Sequence, residues 1–430
     1  MLFDLWQQTA RRLRDHDALV DIVSGQRITF GALDRMAAAL PPVRPGEIVL
    51  ATTASGPAEF IAQTIRAWQH NAILCPYEAQ PPDTTLLHGL PDGIAHVKST
   101  SGSTGRARFV LFREEQLLAD VTNISATMGF DPRHPNLGVI SMAHSYGFSH
   151  LVLPLLLLGM PLWHVSHPLP GSMRAAFASG KKFFLPAVPA MWRAWQQAGV
   201  LNQAPILLAM SAGAPLPLEL ETAVFEQSGI KIHNFYGASE CGGIAYDATT
   251  TPRTDATLVG TPLRGVTLGT NADGCMVITS KAVGTGYWPP EADSSVSDGT
   301  FTASDLAEIA PDGVRLIGRA SDTINVAGRK ISPSEIECAL LTCPRVLHCV
   351  VFGVPSIDAS RGEDIVACVS GDAALRPPDL LSFLSTRLAA WQLPRRWWIH
   401  CDVEPDERGK ISRNQWRARF LERAETTVRG

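Results

Sequence analysis

The chain has 430 residues, of which 45% are hydrophobic and 18% are charged. This composition excludes a disordered chain, and the length excludes a small binding module and favours two or more domains. The 41 acidic and 37 basic side chains leave a net charge of -4, so neither nucleic acid nor an anionic membrane is expected as the principal partner.

Strand and helix patterns alternate from Ile48 to about Gly265. The segments IVLATTASG, AEFIAQTIRAWQ and AILCP are typical of a strand, a helix and a second strand, and the alternation recurs through KKFFLPAV, AMWRAWQQAG, ILLAMSAG, LELETAVFEQ and KIHNFYG. This order predicts an α/β domain with largely parallel sheets. The apolar run from Leu151 to Val165 contains two prolines and is too short to cross a bilayer, so we expect a buried helix and no membrane insertion.

The pattern changes after Gly265 to short strands joined by turns. The steps Asn-Ala-Asp-Gly and Pro-Asp-Gly predict antiparallel hairpins, which form a β-barrel-like segment closing the large domain. The stretches ISPSEIECALL, HCVVFGV, EDIVACVS and DLLSFLSTRLA then predict a small mobile α+β domain. We expect a large N-terminal domain over residues 1–320, a small C-terminal domain over 321–430, and a hinge within Arg319 to Asp322.

The eight cysteines and the start of the chain bear on location. The cysteines contain no C-x-x-C pair, so we expect reduced thiols and no zinc or redox site. The first residues lack the basic-then-apolar order of a secretory signal. The expected location is cytoplasmic.

A loop rich in Ser, Thr and Gly, KSTSGSTGRAR, occupies Lys98 to Arg108 between two predicted strands. Glycines let a backbone approach a ligand closely, and inward N–H groups with hydroxyls form a phosphate cradle. No Lys follows Gly105, so this is not a P-loop. A flexible linker is the alternative.

A second motif, HNFYGASECGG, directly follows a predicted strand. Tyr236 offers a ring for stacking, Ser239 a hydroxyl and Glu240 a carboxylate that suits magnesium. These groups fit a nucleotide with its metal, and a structural turn with a surface acid is the alternative.

The order of the motifs is more specific than any one of them. The chain contains, in sequence, ITFGALD, PGEIVL, STSGSTGRAR, MAHSYG, SAGAPLP, NFYGASE, GTGYWPP, ASDLAEIAPDG, LIGRASDTINVAGRKISPSEIE and GKISR. This set resembles the adenylate-forming (AMP-binding) superfamily of acyl-CoA and aryl-CoA synthetases, acyl-carrier-protein ligases, peptide-synthetase adenylation domains and luciferases. The resemblance covers essentially the whole chain, although the segment before the phosphate loop is shorter than usual for the family.

The resemblance implies an ATP- and Mg²⁺-dependent ligase and assigns its nucleotide site. The implied phosphate-binding residues are Thr100, Ser101, Gly102, Ser103, Thr104 and Gly105. The implied adenine-binding residues are Gly213, Ala214, Asn234, Tyr236 and Gly237, and the implied ribose-binding pair is Asp305 and Arg319.

The resemblance also implies two half-reactions. Lys410, Glu240 and Ser239 are the implied catalytic residues: Lys410 bridges the carboxylate and the α-phosphate, Glu240 binds the metal and Ser239 lies beside the α-phosphate. Gly328 lies beside the tunnel for the acceptor thiol, and the hinge residues are Ser321 and Asp322.

The implied carboxylate pocket determines the expected substrate. Its residues are His144, Tyr146, Phe148, Val188, Phe235, Gly243 and Ile244. No Asp or Lys among them is placed to bind an ammonium, so we expect an aryl or aliphatic acid rather than an amino acid. The acceptor is a phosphopantetheine thiol, of either coenzyme A or a holo acyl carrier protein. The basic, aromatic stretch from Leu393 to His400 and the basic tail could bind such an acidic partner, or form a solvated helix face with Trp397 in the core.

Two departures from the family pattern lead to one alternative function. Ala107 and Arg108 replace the usual Pro-Lys, and Ser321 stands where many members have an acid. These changes allow a non-catalytic descendant that only binds nucleotide, although Glu240 and Lys410 are retained.

A second alternative comes from AHSYG, which is close to the nucleophile elbow of α/β-hydrolases. It would make the protein a serine esterase with Ser145 as nucleophile. His144 then has two interpretations, a gate beside the acyl pocket or a core histidine.

Overall fold

The computed structural model of this chain describes residues 1–78, 80–101, 107–290, 294–297, 299–358, 361–405 and 411–428. The helices of this part are α1 (Leu2–Arg12), α2 (Phe30–Ala39), α3 (Pro57–Gln69), α4 (Glu114–Met128), α5 (Ser145–Gly147), α6 (Pro170–Phe177), α7 (Pro189–Gln197), α8 (Leu218–Ser228), α9 (Pro333–Leu341), α10 (Pro377–Ser385) and α11 (Arg413–Val428). The strands are β1 (Asp17–Asp21), β2 (Arg27–Thr29), β3 (Ile48–Thr52), β4 (Ile73–Tyr77), β5 (His96–Ser101), β6 (Ala107–Phe112), β7 (Asn136–Gly138), β8 (Leu162–His164), β9 (Phe183–Ala187), β10 (Ile206–Ser211), β11 (Ile232–Ala238), β12 (Gly242–Tyr246), β13 (Leu258–Pro262), β14 (Val266–Thr270), β15 (Cys275–Ser280), β16 (Gly286–Trp288), β17 (Val296–Ser297), β18 (Thr300–Ala310), β19 (Gly313–Arg319), β20 (Ile324–Val326), β21 (Arg329–Ile331), β22 (Val346–Pro355), β23 (Glu363–Gly371) and β24 (Arg396–Ile399).

The chain forms two compact units. The first comprises Met1–Gly269, Val277–Thr302 and Ala310–Val314, and the second comprises Thr270–Met276, Ala303–Ile309 and Arg315–Gly430. Strands β14, β15, β18 and β19 therefore have residues in both units. The division at residue 320 into a large and a small domain stays a prediction.

Parallel strand pairs dominate the first unit. In one sheet the order within this unit is β13-β12-β11-β10-β9-β7-β8-β1-β2, and the neighbours from β11 to β1 run parallel. In the other sheet the order is β16-β6-β5-β4-β3, with β3, β4 and β5 parallel. Helices separate most of the parallel strands along the chain, which confirms the predicted α/β class.

Strand β9 shows why the parallel sheet forms. All five of its residues, FFLPA, are buried, as expected for a strand covered on both faces. Trp192 and Trp195 of α7 belong to the same apolar cluster as Phe183 and Leu185, and their own rings cross edge to face with centroids 5.3 Å apart. This core fixes the centre of the sheet, whose carboxyl edge carries the candidate site.

The apolar run from Leu151 to Val165 is divided between two elements. Helix α5 continues without a break into π-helical segments, Phe148–Val152 and Pro154–Leu158. Gly159 then adopts a left-handed conformation with φ of 76°, and the chain enters β8. The predicted buried helix is therefore wrong beyond Leu158. Within the described residues, no helix has both the length and the apolar character needed to cross a membrane.

The second unit is built on the antiparallel pair β22 and β23, with β24 parallel to β23. Alternate residues of these strands point to opposite faces, so the sheet has two cores. One core includes Cys349, Val351, Ile365, Ala367 and Val369 with α9 and α10, and the other includes Val350, Phe352, Val366 and Cys368 with Trp416 and Phe420 of α11. The α+β prediction for this region is confirmed. Trp397 packs against the first core as expected, but it lies on strand β24, so the predicted helix face is wrong at this residue.

Four buried charged side chains join α8 to the strands behind the candidate site. Glu221, Lys231, Asp247 and Arg253 are each at most 8% exposed. Lys231 contacts both Glu221 and Asp247, the latter at 2.6 Å, and Arg253 Nε lies 2.9 Å from Glu221 Oε2. Burial acts to raise the pKa of Asp247, but its hydrogen bonds with Lys231 and Thr249 outweigh this and keep that pKa below its ordinary value. Each charged side chain of the network contacts an opposite charge, so we assign the network a structural role.

We expect Glu221→Gln to lower the thermal unfolding midpoint by about 6 °C or more. Removing one partner of a buried ionic network costs about 3–5 kcal/mol, because the remaining charges stay buried without compensation. A loss of 1 kcal/mol corresponds to roughly 2–4 °C in a domain of this size. Calorimetry measures the shift, and Glu226→Gln, at an exposed position of the same helix, is the control. Equal midpoints for the two variants would contradict this role.

Candidate functional site

The carboxyl ends of three neighbouring parallel strands bring the predicted adenine-binding residues to one edge, together with Ser239 and Glu240. Ala187 of β9 pairs with Ser211 of β10, and Ser211 pairs with Asn234 of β11. Ligands of open α/β sheets bind outside such carboxyl ends. The segments that follow the three strands carry the predicted residues Val188, Gly213 with Ala214, and Ser239 with Glu240. The sheet therefore places them side by side.

Local features of this edge suit a ligand. Gly213 has φ of 85°, a conformation that favours glycine, and a Cβ added there would meet only Val188 Cγ1, at 3.6 Å. The Ser211 hydroxyl is buried and has no hydrogen-bond partner in the described part of the chain. Buried polar atoms without a partner are rare in native proteins. Asn234 is 6% exposed and Tyr236 is half-buried.

Glu240 is held by a residue that the sequence did not single out. The Tyr287 hydroxyl donates to Glu240 Oε1 at 3.0 Å and lies 3.3 Å from Ser295 Oγ. Burial, together with the negative charge of Glu240, raises the pKa of Tyr287 to about 12, so the phenol stays protonated and able to donate at neutral pH. The Arg108 guanidinium lies over the Tyr287 ring, 4.7 Å from its centroid. Tyr287 belongs to the GTGYWPP motif, which was used only for the family resemblance.

The predicted phosphate loop connects two antiparallel strands, β5 and β6. Thr100 pairs with Arg108 and Ser101 pairs with Ala107 where the two strands meet the loop. The strand context expected from the sequence is confirmed. The side chains of Thr100 and Ser101, and all of Gly102, Ser103, Thr104 and Gly105, lie outside the described residues.

An aromatic cluster occupies the predicted carboxylate pocket. The rings of Tyr146 and Phe235 stack with centroids 6.0 Å apart, and the His150 ring lies edge-on to both, at 4.7 and 4.5 Å. A Cβ added to Gly243 would lie 2.8 Å from Phe235 Cζ, so glycine is needed beside this cluster. The Tyr146 hydroxyl lies 3.5 Å from the carbonyl oxygen of Ala187, at the end of β9. The cluster therefore borders the nucleotide edge.

His150 is a member of this cluster that sequence reasoning missed. It is fully buried, its Nδ1 lies 3.1 Å from the Tyr146 carbonyl oxygen, and its Nε2 has no partner within the described residues. Burial lowers the pKa of His150 to about 3, so the ring is neutral near pH 7. It lies in the π-helical continuation of α5, and such segments occur frequently at functional sites.

The other predicted pocket residues differ in their placement. Phe148 packs against His96, with ring centroids 4.5 Å apart, and Ile244 is fully buried. The His144 side chain is 43% exposed and its Nε2 lies 2.7 Å from Glu78 Oε2. His144 is thus not the core histidine of the second interpretation.

In the second unit, two predicted residues are adjacent and two lie outside the described part. Arg319 Nε donates to Asp305 Oδ1 at 3.0 Å, so the predicted ribose pair is brought together. Gly328 lies in the β20–β21 turn with φ of 80°, and a Cβ added there would meet no atom of the described residues within 4 Å. Lys410 and the side chain of Ser321 lie outside the described residues.

Arg413 connects three parts of the second unit. Its Nη2 donates to both carboxylate oxygens of Glu337 at 2.8 Å, and its Nε donates to the Val351 carbonyl at 2.7 Å. Its Nη1 contacts Asp322, one of the two predicted hinge residues. Asp322 is thereby attached to the sheet of its own unit. Bidentate pairs of this kind are strong and directional.

Comparison with known proteins identifies the family. The family model described as "AMP-binding enzyme" matches residues 42–288, which is more than half of the chain. The chain belongs to this family. The superfamily resemblance of the motif order is confirmed, and neither the serine esterase nor the non-catalytic descendant is favoured.

Similar proteins within the family include named ligases. A feruloyl-CoA synthase of Amycolatopsis sp is 27% identical over 363 residues, which cover 79% of this chain and 72% of that protein. A long-chain-fatty-acid--CoA ligase of Escherichia coli O157:H7 is 25% identical, and this chain spans 62% of its length.

Solved structures show the same fold. ATP-bound MatB from Rhodopseudomonas palustris has a TM-score of 0.85 at 19% identity, with 98% of this chain and 99% of that chain covered. The o-succinylbenzoate CoA synthetase MenE from Bacillus subtilis, solved with its acyl-adenylate intermediate, has a TM-score of 0.81 at 19% identity, with 96% and 97% covered.

We expect Arg413→Met to lower the stability of the second unit by about 1–3 kcal/mol, the scale of hydrogen bonds to charged groups. Differential scanning calorimetry measures the change. The control is Arg345→Met, which removes one ion pair to Asp379 with both side chains 43% exposed. A surface pair of that kind contributes only about 0–1 kcal/mol. If both variants unfold at the wild-type temperature, Arg413 does not hold the unit together.

Proposed function

We propose that this protein is an ATP- and Mg²⁺-dependent acid–thiol ligase that activates a carboxylic acid as an acyl-adenylate. Membership of the AMP-binding family supports the reaction class. The observation that carries the proposal within this chain is the placement of Glu240 beside Tyr287 at the edge where β9, β10 and β11 end. That edge combines an acid for a metal with adjacent aromatic and polar side chains.

The proposed chemistry has two steps. A carboxylate oxygen attacks the α-phosphorus of ATP, and the bond to pyrophosphate breaks, which leaves acyl-AMP. A thiolate sulfur then attacks the acyl carbon, and the bond to AMP breaks, which gives the thioester and AMP while the thiol proton passes to solvent. Negative charge grows on the phosphoryl oxygens in the first step, so positive donors there lower the barrier. We propose Lys410 for that role.

Glu240 fits the protein's share of a magnesium site. Within the described residues, no group of three or more His, Cys, Asp or Glu side chains could hold a metal alone. Mg²⁺ bound to a nucleotide normally needs only one or two carboxylates, because phosphate oxygens and water complete its shell. The Tyr287 hydroxyl engages Oε1 of Glu240. A bound Mg²⁺ would supply charge neutralisation to the phosphates, and Tyr287 orients the carboxylate that holds it.

The nucleotide roles follow the family resemblance. Tyr236 and Gly237 lie against the adenine with Gly213, Ala214 and Asn234, and the loop from Thr100 to Gly105 holds the phosphates. The Ser211 hydroxyl is an additional donor at this edge, because nothing in the described part of the chain satisfies it. Asp305 and Arg319 keep the proposed ribose role.

The acid and the acceptor are proposed from separate observations. The aromatic cluster of Tyr146, His150 and Phe235 suits an aryl or other apolar acyl body. Relatives described as a feruloyl-CoA synthase and, in Arabidopsis thaliana, a 4-coumarate--CoA ligase-like protein support coenzyme A as the acceptor. A holo acyl carrier protein presents the same phosphopantetheine thiol and remains the second candidate.

The test separates the two steps. Exchange of radiolabelled pyrophosphate into ATP is measured with a panel of aryl and aliphatic acids, and coenzyme A or holo carrier protein is then added to follow thioester formation. We expect exchange with at least one acid and thioester formation with one thiol. Absence of exchange with every acid would overturn the proposal.

We expect Glu240→Gln to lower pyrophosphate exchange about a hundredfold at ordinary Mg²⁺, a scale typical of removing one electrostatic stabiliser. Raising the Mg²⁺ concentration should restore part of the rate, because the amide is a weaker ligand than the carboxylate. Glu226→Gln, at an exposed position, controls for loss of charge. Unchanged exchange in Glu240→Gln at low Mg²⁺ would remove Glu240 from the metal site.

Lys410 and Gly328 should separate the two half-reactions. We expect Lys410→Ala to lose adenylation about a hundredfold but still to convert prepared acyl-AMP and thiol to thioester. Gly328→Leu should retain exchange and lose thioester formation, because a side chain there blocks the thiol. The control for backbone strain is Gly274→Leu, at another turn glycine of the same unit with φ of 78°. Parallel loss of both steps in folded Lys410 and Gly328 variants would contradict the assignment of these two residues to separate half-reactions.

A further inference from the structure

Lys98 is a buried cation close to the proposed carboxylate pocket. It lies on β5 and is 7% exposed. Its ammonium donates to Ser145 Oγ at 3.0 Å and lies 4.3 Å from the centroid of the Phe112 ring. Within the described residues, no carboxylate lies in ion-pair contact with Lys98 and its other two N–H groups have no acceptor. Burial lowers the pKa of this lysine.

The acid with the largest electrostatic effect on Lys98 does not pair with it. Asp120 and, to a smaller extent, Glu240 act on the ammonium electrostatically. Both carboxylate oxygens of Asp120 have other partners: Ser149 Oγ donates to Oδ2 at 2.5 Å, and the Gly243 amide donates to Oδ1 at 3.0 Å. Asp120 therefore holds the backbone beside the pocket, and within the described residues Lys98 has no contacting anion.

The groups around Lys98 belong to the pocket wall. Ser145, its acceptor, begins α5 between the predicted pocket residues His144 and Tyr146. The Gly243 backbone, held by Asp120, lies against Phe235. The ammonium thus lies next to the residues that carry the aromatic cluster of Tyr146, His150 and Phe235.

Burying this ammonium costs free energy unless a ligand supplies the missing hydrogen-bond acceptors and negative charge. An ammonium removed from water needs hydrogen bonds for all its protons and an opposite charge nearby. Methionine would fill a similar volume without that cost. A buried charge that has no contacting anion among the described residues, and that lies beside a proposed substrate pocket, indicates a binding role.

We propose that Lys98, with Ser145, binds a second negatively charged group on the acid substrate, so that the protein activates dicarboxylic acids. The inference rests on the proposed function and specifies its substrate class. One carboxylate reacts at the nucleotide edge, and the other accepts hydrogen bonds from the Lys98 ammonium and the Ser145 hydroxyl. The same cation disfavours amino acids, because it repels their ammonium group.

The direct test compares each diacid with its own mono-methyl ester in wild-type protein. Pyrophosphate exchange is measured with isophthalate, terephthalate and the straight-chain series from malonate to suberate, and with the corresponding half-esters. We expect the preferred diacid to exceed its half-ester by about tenfold or more in kcat/KM, the scale of a charge-assisted hydrogen bond. A wild-type preference for half-esters, or for monoacids bearing only a neutral hydroxyl, would overturn the proposal.

Variants then assign the preference to Lys98. Lys98→Met should abolish the preference for the diacid by raising the KM for the diacid. The KM for the half-ester and the KM for ATP should not change. The effect is expected in KM because the lost binding energy is common to the ground state and the transition state. Lys98→Arg keeps the charge and should keep the preference, and Lys281→Met, at an exposed position, is the control. An equal loss of kcat/KM for the diacid and the half-ester in Lys98→Met would overturn the assignment. If Lys98→Met does not fold, the diacid preference of Lys98→Arg and of the wild-type protein tests the proposal.

The outcomes distinguish the two proposals. If no acid supports exchange, the proposed function fails. If monoacids or half-esters support exchange as well as diacids do, the proposed function stands and the role of Lys98 fails. A second readout, the rise in thermal midpoint that the preferred diacid causes in the presence of ATP, should occur in wild-type protein and be lost in Lys98→Met.

Discussion

The parallel register of β9, β10 and β11 is the constraint on which the candidate site depends. Pairing of Ala187 with Ser211, and of Ser211 with Asn234, aligns three strand ends, so the three following segments must share one edge. The fully buried strand β9 holds this register, because a slip by one residue would turn apolar side chains out of the core. The Glu221–Lys231 ion pair lies behind the same strands. At the edge itself, the buried Ser211 hydroxyl has no hydrogen-bond partner among the described residues.

The sequence predicted the strands and the order of the site segments well, and the reasons are local. KKFFLPAV is followed directly by Pro189, and ILLAMSAG and KIHNFYG end in Gly, so these strands and the loops after them could be recognised without the fold. The Leu151 to Val165 run was misjudged because hydrophobicity alone does not distinguish a buried helix from a buried strand. Gly159 and Pro161, which end the helix, were the signal for the boundary.

The residues that sequence reasoning missed owe their roles to contacts distant in the chain. Glu240 and Tyr287 are 47 residues apart, as are Lys98 and Ser145, and no periodicity connects either pair. Lys98 was noticed only as the first residue of the phosphate-loop motif. His150 is adjacent to Ser149 in an apolar segment and becomes a pocket residue only through the unusual π-helical winding of that segment. Such assignments need the packing of one sheet against another, which a single sequence does not specify.

Two buried lysines in the first unit show how the same side chain can indicate structure or function. Lys231 is 8% exposed and contacts two carboxylates, so its charge is compensated within the fold. Lys98 is 7% exposed and contacts a hydroxyl and an aromatic ring, with no carboxylate in contact among the described residues. Desolvation disfavours both ammonium groups, but only for Lys231 does the fold itself supply the compensating anions. Because the two lysines are about equally buried and only Lys231 has contacting carboxylates among the described residues, we assign the anion for Lys98 to the substrate.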